Sequence, residues 1–272
     1  MLASSLTIGF IGAGNMASAL IEGLLATGLG ADRLFASDPS PDKRAALQAR
    51  GLRVSADNDA VLRASDVLIL AVKPQVLAGV VGALHPVLAS KPVLLISVAA
   101  GVTTQRLADW TPPGQAIVRC MPNTPALVQA GATALYANAS TSAAQRGIAT
   151  AILQAVGLTC WLEDEAQMDA VTALSGSGPA YFFLMLEALE AAAVQLGLPA
   201  PLARQLATQT AFGAAKLALG SDVDAAELRR RVTSPGGTTE AALKQFDADH
   251  FRHIVARAVA KAAARSAELA NA

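Results

Sequence analysis

Two cysteines in 272 residues, Cys120 and Cys160, are too few for a disulfide framework. Both read as small buried apolar residues in a reducing compartment. An excess of either charge is also missing, since 21 Lys and Arg balance 21 Asp and Glu. That balance removes the electrostatic case for nucleic acid or an anionic membrane as partner. No apolar run approaches the roughly 18 residues that a membrane span needs without meeting Gly, Pro or charge. Residues 1–5 contain neither a basic stretch nor a long apolar one, which predicts no secretory leader and a cytoplasmic location. The histidines, His85, His250 and His253, lack ligand spacing with any cysteine or carboxylate pair, so no metal is expected. Internal repeats and low-complexity linkers are absent.

What is present is an apolar content of 53%, enough for a globular chain, at a length that suits one large domain or two ordinary ones. Up to about residue 164, short apolar runs alternate with helical patterns. Strands are predicted at 6–11, 33–37, 67–72, 93–98, 116–120, 132–136 and 158–162, and helices at 17–26, 41–50, 60–64 and 74–84. Strands without polar alternation fit a parallel sheet covered on both faces. The class is therefore α/β, with a doubly wound sheet over residues 1–164. From 165 to 272 the strand signal stops. Helices are predicted at 169–174, 180–196, 201–219, 222–232 and 240–246, with a last one from about 250 to 270. The apolar faces of this half exceed what a small domain buries against itself, which predicts a homodimer.

Two loops carry chemistry. Ile8-Gly9-Phe10-Ile11 runs into Gly12-Ala13-Gly14-Asn15-Met16-Ala17 and then into a helix. Gly12 suits a tight turn, Gly14 a close pyrophosphate, and Ala17 close helix–strand packing, so this is a dinucleotide fingerprint in its required context. More than two hundred residues later, Thr233-Ser234-Pro235-Gly236-Gly237-Thr238-Thr239 interrupts the helical half. Two readings of that loop stand side by side. One is an anion cradle at a helix N-terminus, with hydroxyls beside it. The other is a Pro-Gly-Gly turn with a threonine cap.

These segments occur in order with Ala71-Val72-Lys73-Pro74, Met121-Pro122-Asn123-Thr124-Pro125 and Ser175-Gly176-Ser177-Gly178-Pro179-Ala180-Tyr181. Together they resemble the pyrroline-5-carboxylate reductase family over nearly the whole chain. The resemblance implies an N-terminal Rossmann domain and a C-terminal helical domain for dimerisation and substrate binding. It further implies dimers that can assemble into decamers. The implied reaction reduces L-1-pyrroline-5-carboxylate to L-proline, the last step of proline synthesis, with NADPH and with NADH also accepted.

Residue by residue, the resemblance places Gly12, Ala13, Gly14, Asn15, Met16, Ser37, Asn58, Ala71, Val72, Lys73, Pro74, Val98, Ala99, Ala100, Asn123 and Arg231 at the cofactor. It places Glu165, Gly236, Gly237, Thr238 and Thr239 at the substrate, with Thr239 reaching the ring nitrogen. Chemistry is consistent with this set, because reducing a cyclic imine needs a hydride donor over one ring face, a carboxylate anchor and a hydrogen bond at nitrogen. Bland readings accompany several of these residues: Asn58 as a helix N-cap, Lys73 as a solvated strand end, Arg231 as a helix C-terminus, and Glu165 as a charged first turn. Asp38 ends the second strand, where an acid usually takes the ribose hydroxyl and disfavours a 2′-phosphate, while Lys43 and Arg44 nearby favour one. Two other functions compete. A β-hydroxyacid dehydrogenase would place a catalytic lysine on the helix that here reads Ala180-Tyr181-Phe182-Phe183-Leu184-Met185-Leu186-Glu187, which has none. A non-catalytic NADP(H) sensor would have no use for both Asn123-Thr124 and residues 234–239.

Overall fold

The computed structural model describes residues 6–271. The reading of residues 1–5 as leaderless lies outside the described residues. In chain order the first part runs β1 (Ile8–Ile11), α1 (Asn15–Ala26), β2 (Leu34–Ser37), α2 (Pro41–Gln48), β3 (Arg53–Ser55), α3 (Asn58–Ala64), β4 (Val67–Leu70), α4 (Pro74–Ser90), β5 (Leu94–Ser97), α5 (Thr104–Asp109), β6 (Ile117–Met121), β7 (Gly131–Ala137), α6 (Ala143–Gln154) and β8 (Gly157–Trp161). The eight strands form one sheet in the order β3-β2-β1-β4-β5-β6-β7-β8. All pairs are parallel except β6 with β7.

Alternation along each strand divides the core into two layers. Ile8, Phe10, Ala36, Ile69, Ile96 and Val118 face α1 and α6, where Leu20, Ile21, Leu24, Ile152 and Leu153 close over them. Ile11, Phe35, Leu68, Leu70, Leu95 and Ile117 face the other way, against Val61, Leu77, Val81, Leu84 and Leu107 of α3, α4 and α5. The doubly wound class holds. Between β1 and β4 the strand order reverses direction, and a ligand of such a sheet binds beyond the carboxyl ends at that point.

The helical part comprises α7 (Met168–Val171), α8 (Gly178–Gln195), α9 (Ala200–Leu219), α10 (Ala225–Arg231), α11 (Thr238–Ala248) and α12 (Phe251–Asn271). The chain packs as two compact units. One contains the residues up to Ser177 together with those from Ala262 onward, and the other is Gly178–Lys261. The second unit has almost no core of its own. In α8 and α9 only Gly178 and Ala203 are buried, and in α10 and α11 nothing is. Phe182, Phe183, Leu206 and Phe212 are all exposed.

Several local readings are corrected. Cys160 is exposed and not buried. It lies on β8, the sheet's edge strand, whose residues alternate in exposure. Helix α4 continues past residue 84 to Ser90 with Pro86 in its interior, because Leu84, Val87 and Leu88 are all buried beneath it. Burial there outweighs the lost hydrogen bond of the proline. The Ser175-Gly176 glycine-rich stretch does not break the helix outright. Residues Thr172–Gly176 form a wide π turn continuing α7, and α8 starts at Gly178. Three elements are not among those predicted: the short β3 and α5, and the 12-residue α6. The last carries a full capping box, Ser142 with Gln145, which was visible in the sequence.

Candidate active site

The glycine loop after β1 is built by its neighbours. Gly12 takes φ +97°, and its N–H donates to the Ser37 carbonyl at 2.8 Å. A Cβ on Gly12 would lie 2.7 Å from the Ala71 carbonyl oxygen, so only glycine fits without displacement. Gly14 is the N-cap of α1 and has no side chain to cap it, with φ −83° and ψ −177°. A Cβ added there would meet nothing within 4 Å. The first helical hydrogen bond is Ser18 N–H to Gly14 O, so the N–H groups of Asn15, Met16 and Ala17 stand before it at the positive end of the helix. An open cradle at a helix N-terminus fits a dinucleotide pyrophosphate.

At the same sheet edge lie the ends of three more strands. After β4, Ala71 is half-buried and its N–H donates to the Ile11 carbonyl (2.8 Å), while Lys73 is exposed and precedes Pro74 at the start of α4. Beyond β5, Val98 and the buried Ala99 lead to the exposed Ala100. At the end of β2, Ser37 Oγ donates to Asn58 Oδ1 at 2.7 Å. Asn58 is therefore not the cap of α3. Asp57 is, accepting from the Asp59 N–H. The Asn58 amide nitrogen is left with no partner among the described residues, a donor pair poised at the sheet edge.

Asp38 is engaged by its own chain. Its carboxylate is buried and accepts from Ala13 N–H and Ser40 N–H, both at 2.9 Å, and from Lys43 Nζ at 3.2 Å. Burial opposes the charge, but the two backbone donors and Lys43 outweigh it and hold the carboxyl below its ordinary range. Arg44 is turned to the Asp38 and Pro39 carbonyls. Asp38 is thus a brace for the glycine loop. Asp38→Ala should weaken NADPH and NADH together, by about 10-fold or more, since a charge-assisted bond to a backbone N–H, one buried and one part-buried here, is worth about 1.5–3 kcal/mol. A switch in nucleotide preference, measured by steady-state kinetics with both, would show that Asp38 reads the ribose instead.

Two further expected ligands are engaged in holding the fold. Asn123 accepts from Ala132 N–H (2.9 Å) and donates to the Ser175 carbonyl (3.0 Å), tying the start of β7 to the π turn. Glu165 Oε1 accepts from Thr104 N–H and from Arg119 Nη1, both at 2.8 Å, and its Oε2 accepts from Thr104 Oγ1 at 2.6 Å. Arg119 is buried within β6. An arginine in the otherwise apolar run Ile117-Val118-Arg119-Cys120 signals a partner that sequence reasoning did not seek. Cys120 is buried as expected, and burial pushes its thiol pKa up.

In the helical unit, Gly237 is the N-cap of α11, and Thr238 and Thr239 are its first two residues. Gly236 takes φ +71°. The Gly237 N–H closes a turn to the Ser234 carbonyl (3.0 Å), and the Gly236 N–H donates to Glu240 Oε2 at 2.7 Å. The first helical bond is Ala241 N–H to Gly237 O (3.2 Å). The N–H groups of Thr238 and Thr239 thus have no partner among the described residues, and Thr239 is half-buried. Of the two readings of the loop, the cap by a threonine hydroxyl does not occur, since no side-chain hydrogen bond caps α11. Arg231 ends α10 in the open, with Nε 2.9 Å from Glu227 Oε1. Arg230 shares that carboxylate, and the two guanidinium groups pull its pKa down to about 2.

The chain has relatives along its whole length. A pyrroline-5-carboxylate reductase of Pseudomonas aeruginosa is 51% identical over 97% of both chains, and one from Haemophilus influenzae is 46% identical over 96% of this chain and 97% of the other. The solved structure of a pyrroline-5-carboxylate reductase from Coxiella burnetii superposes with a TM-score of 0.94 at 42% identity, covering 97% and 98% of the two chains. That of the Plasmodium falciparum pyrroline carboxylate reductase, with NADP bound, gives 0.87 at 30% identity over 99% and 100%. Residues 165–269 match the model of pyrroline-5-carboxylate reductase dimerisation, and residues 7–101 that of the F420-dependent NADP oxidoreductases. The chain belongs to the pyrroline-5-carboxylate reductase family.

Proposed function

We propose that this protein reduces L-1-pyrroline-5-carboxylate to L-proline with NADPH, NADH also being accepted. The observation that carries the reading is whole-length identity of 51% to a pyrroline-5-carboxylate reductase. The open N-termini of α1 and α11 support it, because one suits a pyrophosphate and the other a small carboxylate.

The bound nicotinamide supplies the hydride. The chain's own residues bind and orient. Gly12, Gly14 and the N–H groups of Asn15 and Met16 seat the dinucleotide, while Ser37 and Asn58 take its adenosine side. Ala71, Val72, Lys73, Pro74, Val98, Ala99 and Ala100 line the rest, with Arg231 toward the phosphates. The N–H groups of Thr238 and Thr239 hold the substrate carboxylate, and Gly236 and Gly237 give the loop its turn. Thr239 Oγ hydrogen-bonds the ring nitrogen as it becomes a secondary amine. Glu165 and Asn123 act through the elements they tie together. Residues 1–164 form the dinucleotide-binding part in this scheme, and residues 165–272 the substrate-binding and dimerising part. No metal takes part, and the setting is cytoplasmic.

The test is direct. Purified protein with NADPH and pyrroline-5-carboxylate should consume the nucleotide and yield proline, identified by mass. Nucleotide consumption without proline would favour a dehydrogenase of another substrate, and tight NADPH binding without turnover would favour a sensor. Because the helical unit has so little core, we also infer an obligate homodimer, which can build a decamer. Light scattering of active protein at the mass of one chain would overturn the dimer.

A further inference from the structure

Glu240 is the third residue of α11, and its carboxylate turns back over the loop at the protein surface. Its Oε2 accepts from the Gly236 N–H at 2.7 Å. Its Oε1 lies 3.1 Å from Lys244 Nζ, one turn further along the helix. Gly236 is the loop's left-handed residue (φ +71°), so this bond fixes the one position where the backbone has most freedom. The same contact removes Gly236 N–H from the set of donors that a carboxylate can use. The donors left over are the N–H groups of Thr238, Thr239 and Glu240, in the first turn of the helix. The Gly236 bond and the Lys244 partner both lower the Glu240 pKa, which keeps the latch charged at neutral pH.

Resting on the substrate reading above, we propose that Glu240 is a positioning residue that latches the Ser234–Thr239 loop, so that a bound carboxylate meets the first-turn N–H groups of α11 in a fixed register. A free loop must be ordered when substrate binds, and that ordering weakens binding. The substrate carboxylate is the same in the ground state and the transition state, so a loss here raises KM and leaves kcat nearly unchanged. A role in helix stability alone would lower Tm and would not separate the two constants.

Three variants of the whole enzyme decide the matter. Glu240→Gln keeps an oxygen in reach of Gly236 and should hold KM for pyrroline-5-carboxylate within about twofold of wild type. Glu240→Asp keeps the charge and the favourable helix-start acid but falls one methylene short, so it should fold normally and raise that KM about 5- to 20-fold. Glu240→Ala should match the Asp variant. In all three, kcat and the NADPH KM should stay within about twofold of wild type. Wild-type KM in the Asp or Ala variant would overturn the latch, as would a Gln variant as impaired as Ala, which would assign the effect to charge. An inactive wild-type protein would instead refute the substrate reading, and the latch with it.

Discussion

Thr239→Val should lower kcat/KM for pyrroline-5-carboxylate by about 10- to 10³-fold, on the order of 1.4–4 kcal/mol of transition-state stabilisation. The substitution keeps the branched shape and removes only the hydroxyl. Thr239 is the second residue of α11, half-buried, and no side-chain hydrogen bond caps that helix, so the hydroxyl is not holding the fold. Tm should therefore be unchanged. The ring nitrogen gains electron density and a stronger hydrogen bond as the imine becomes an amine, so the loss should fall mainly on kcat. The dissociation constant of NADPH should barely move. Thr238→Val should cost less, since the role proposed for Thr238 uses its backbone N–H, which valine retains. Near-wild-type turnover of Thr239→Val would remove Thr239 from the catalytic role, and the reverse ranking would transfer the role to Thr238. The two threonine variants and the Glu240 series read different constants, kcat in the first case and KM in the second, so they test the loop's two tasks separately.

The fold and the dinucleotide loop were legible because their signals are local. A strand, Gly12-Ala13-Gly14 and a helix follow one another without interruption, and each glycine's task is set by backbone geometry within a few residues. The carboxyl ends of β1, β4 and β5 could be assigned to one edge because parallel strands leave no alternative. What escaped was pairing across long stretches of chain. Asp38 meets Ala13 across 25 residues, Arg119 meets Glu165 across 46, and Asn123 meets Ser175 across 52. From composition alone, a carboxylate at the end of β2 looks like a ribose ligand and an acid at a helix start looks like a dipole partner. Only the folded chain shows that Asp38 accepts from two backbone N–H groups and Lys43, and Glu165 from Thr104 and the buried Arg119. Cys160 failed for another reason: nothing local distinguishes an edge strand from a central one, and its exposure follows from β8 standing last in the sheet. The Glu240 latch is a local contact across four residues, and its cue, an acid at the third helical position, lay in the open. It was missed because the glycines beside it were assigned to the substrate.

A pair of glycine replacements separates binding from folding in the nucleotide loop. Gly14→Val should fold with a Tm only slightly below wild type, because φ −83° and ψ −177° suit a β-branched residue and a Cβ there meets nothing within 4 Å, which leaves the N-cap preference for glycine over valine as the cost. The space that the side chain would fill is where the pyrophosphate must come to reach the N-terminus of α1. NADPH affinity should fall about 100-fold or more, roughly 2.7 kcal/mol. Gly12→Ala should behave in the opposite way. Its backbone sits at φ +97°, and the added methyl would stand 2.7 Å from the Ala71 carbonyl oxygen. That carbonyl is held by the chain of β4, whose next turn is fixed by the Ala71 N–H bond to Ile11. Relief therefore requires backbone movement, at about 1–3 kcal/mol for the strained conformation alone, and Tm should drop before any ligand is added. Calorimetric titration with NADPH and thermal melts of both variants distinguish the cases. A Gly14→Val protein that binds NADPH like wild type would mean that the dinucleotide does not cross this loop, and equal loss of Tm in both variants would mean that the open space beside Gly14 has a structural role instead.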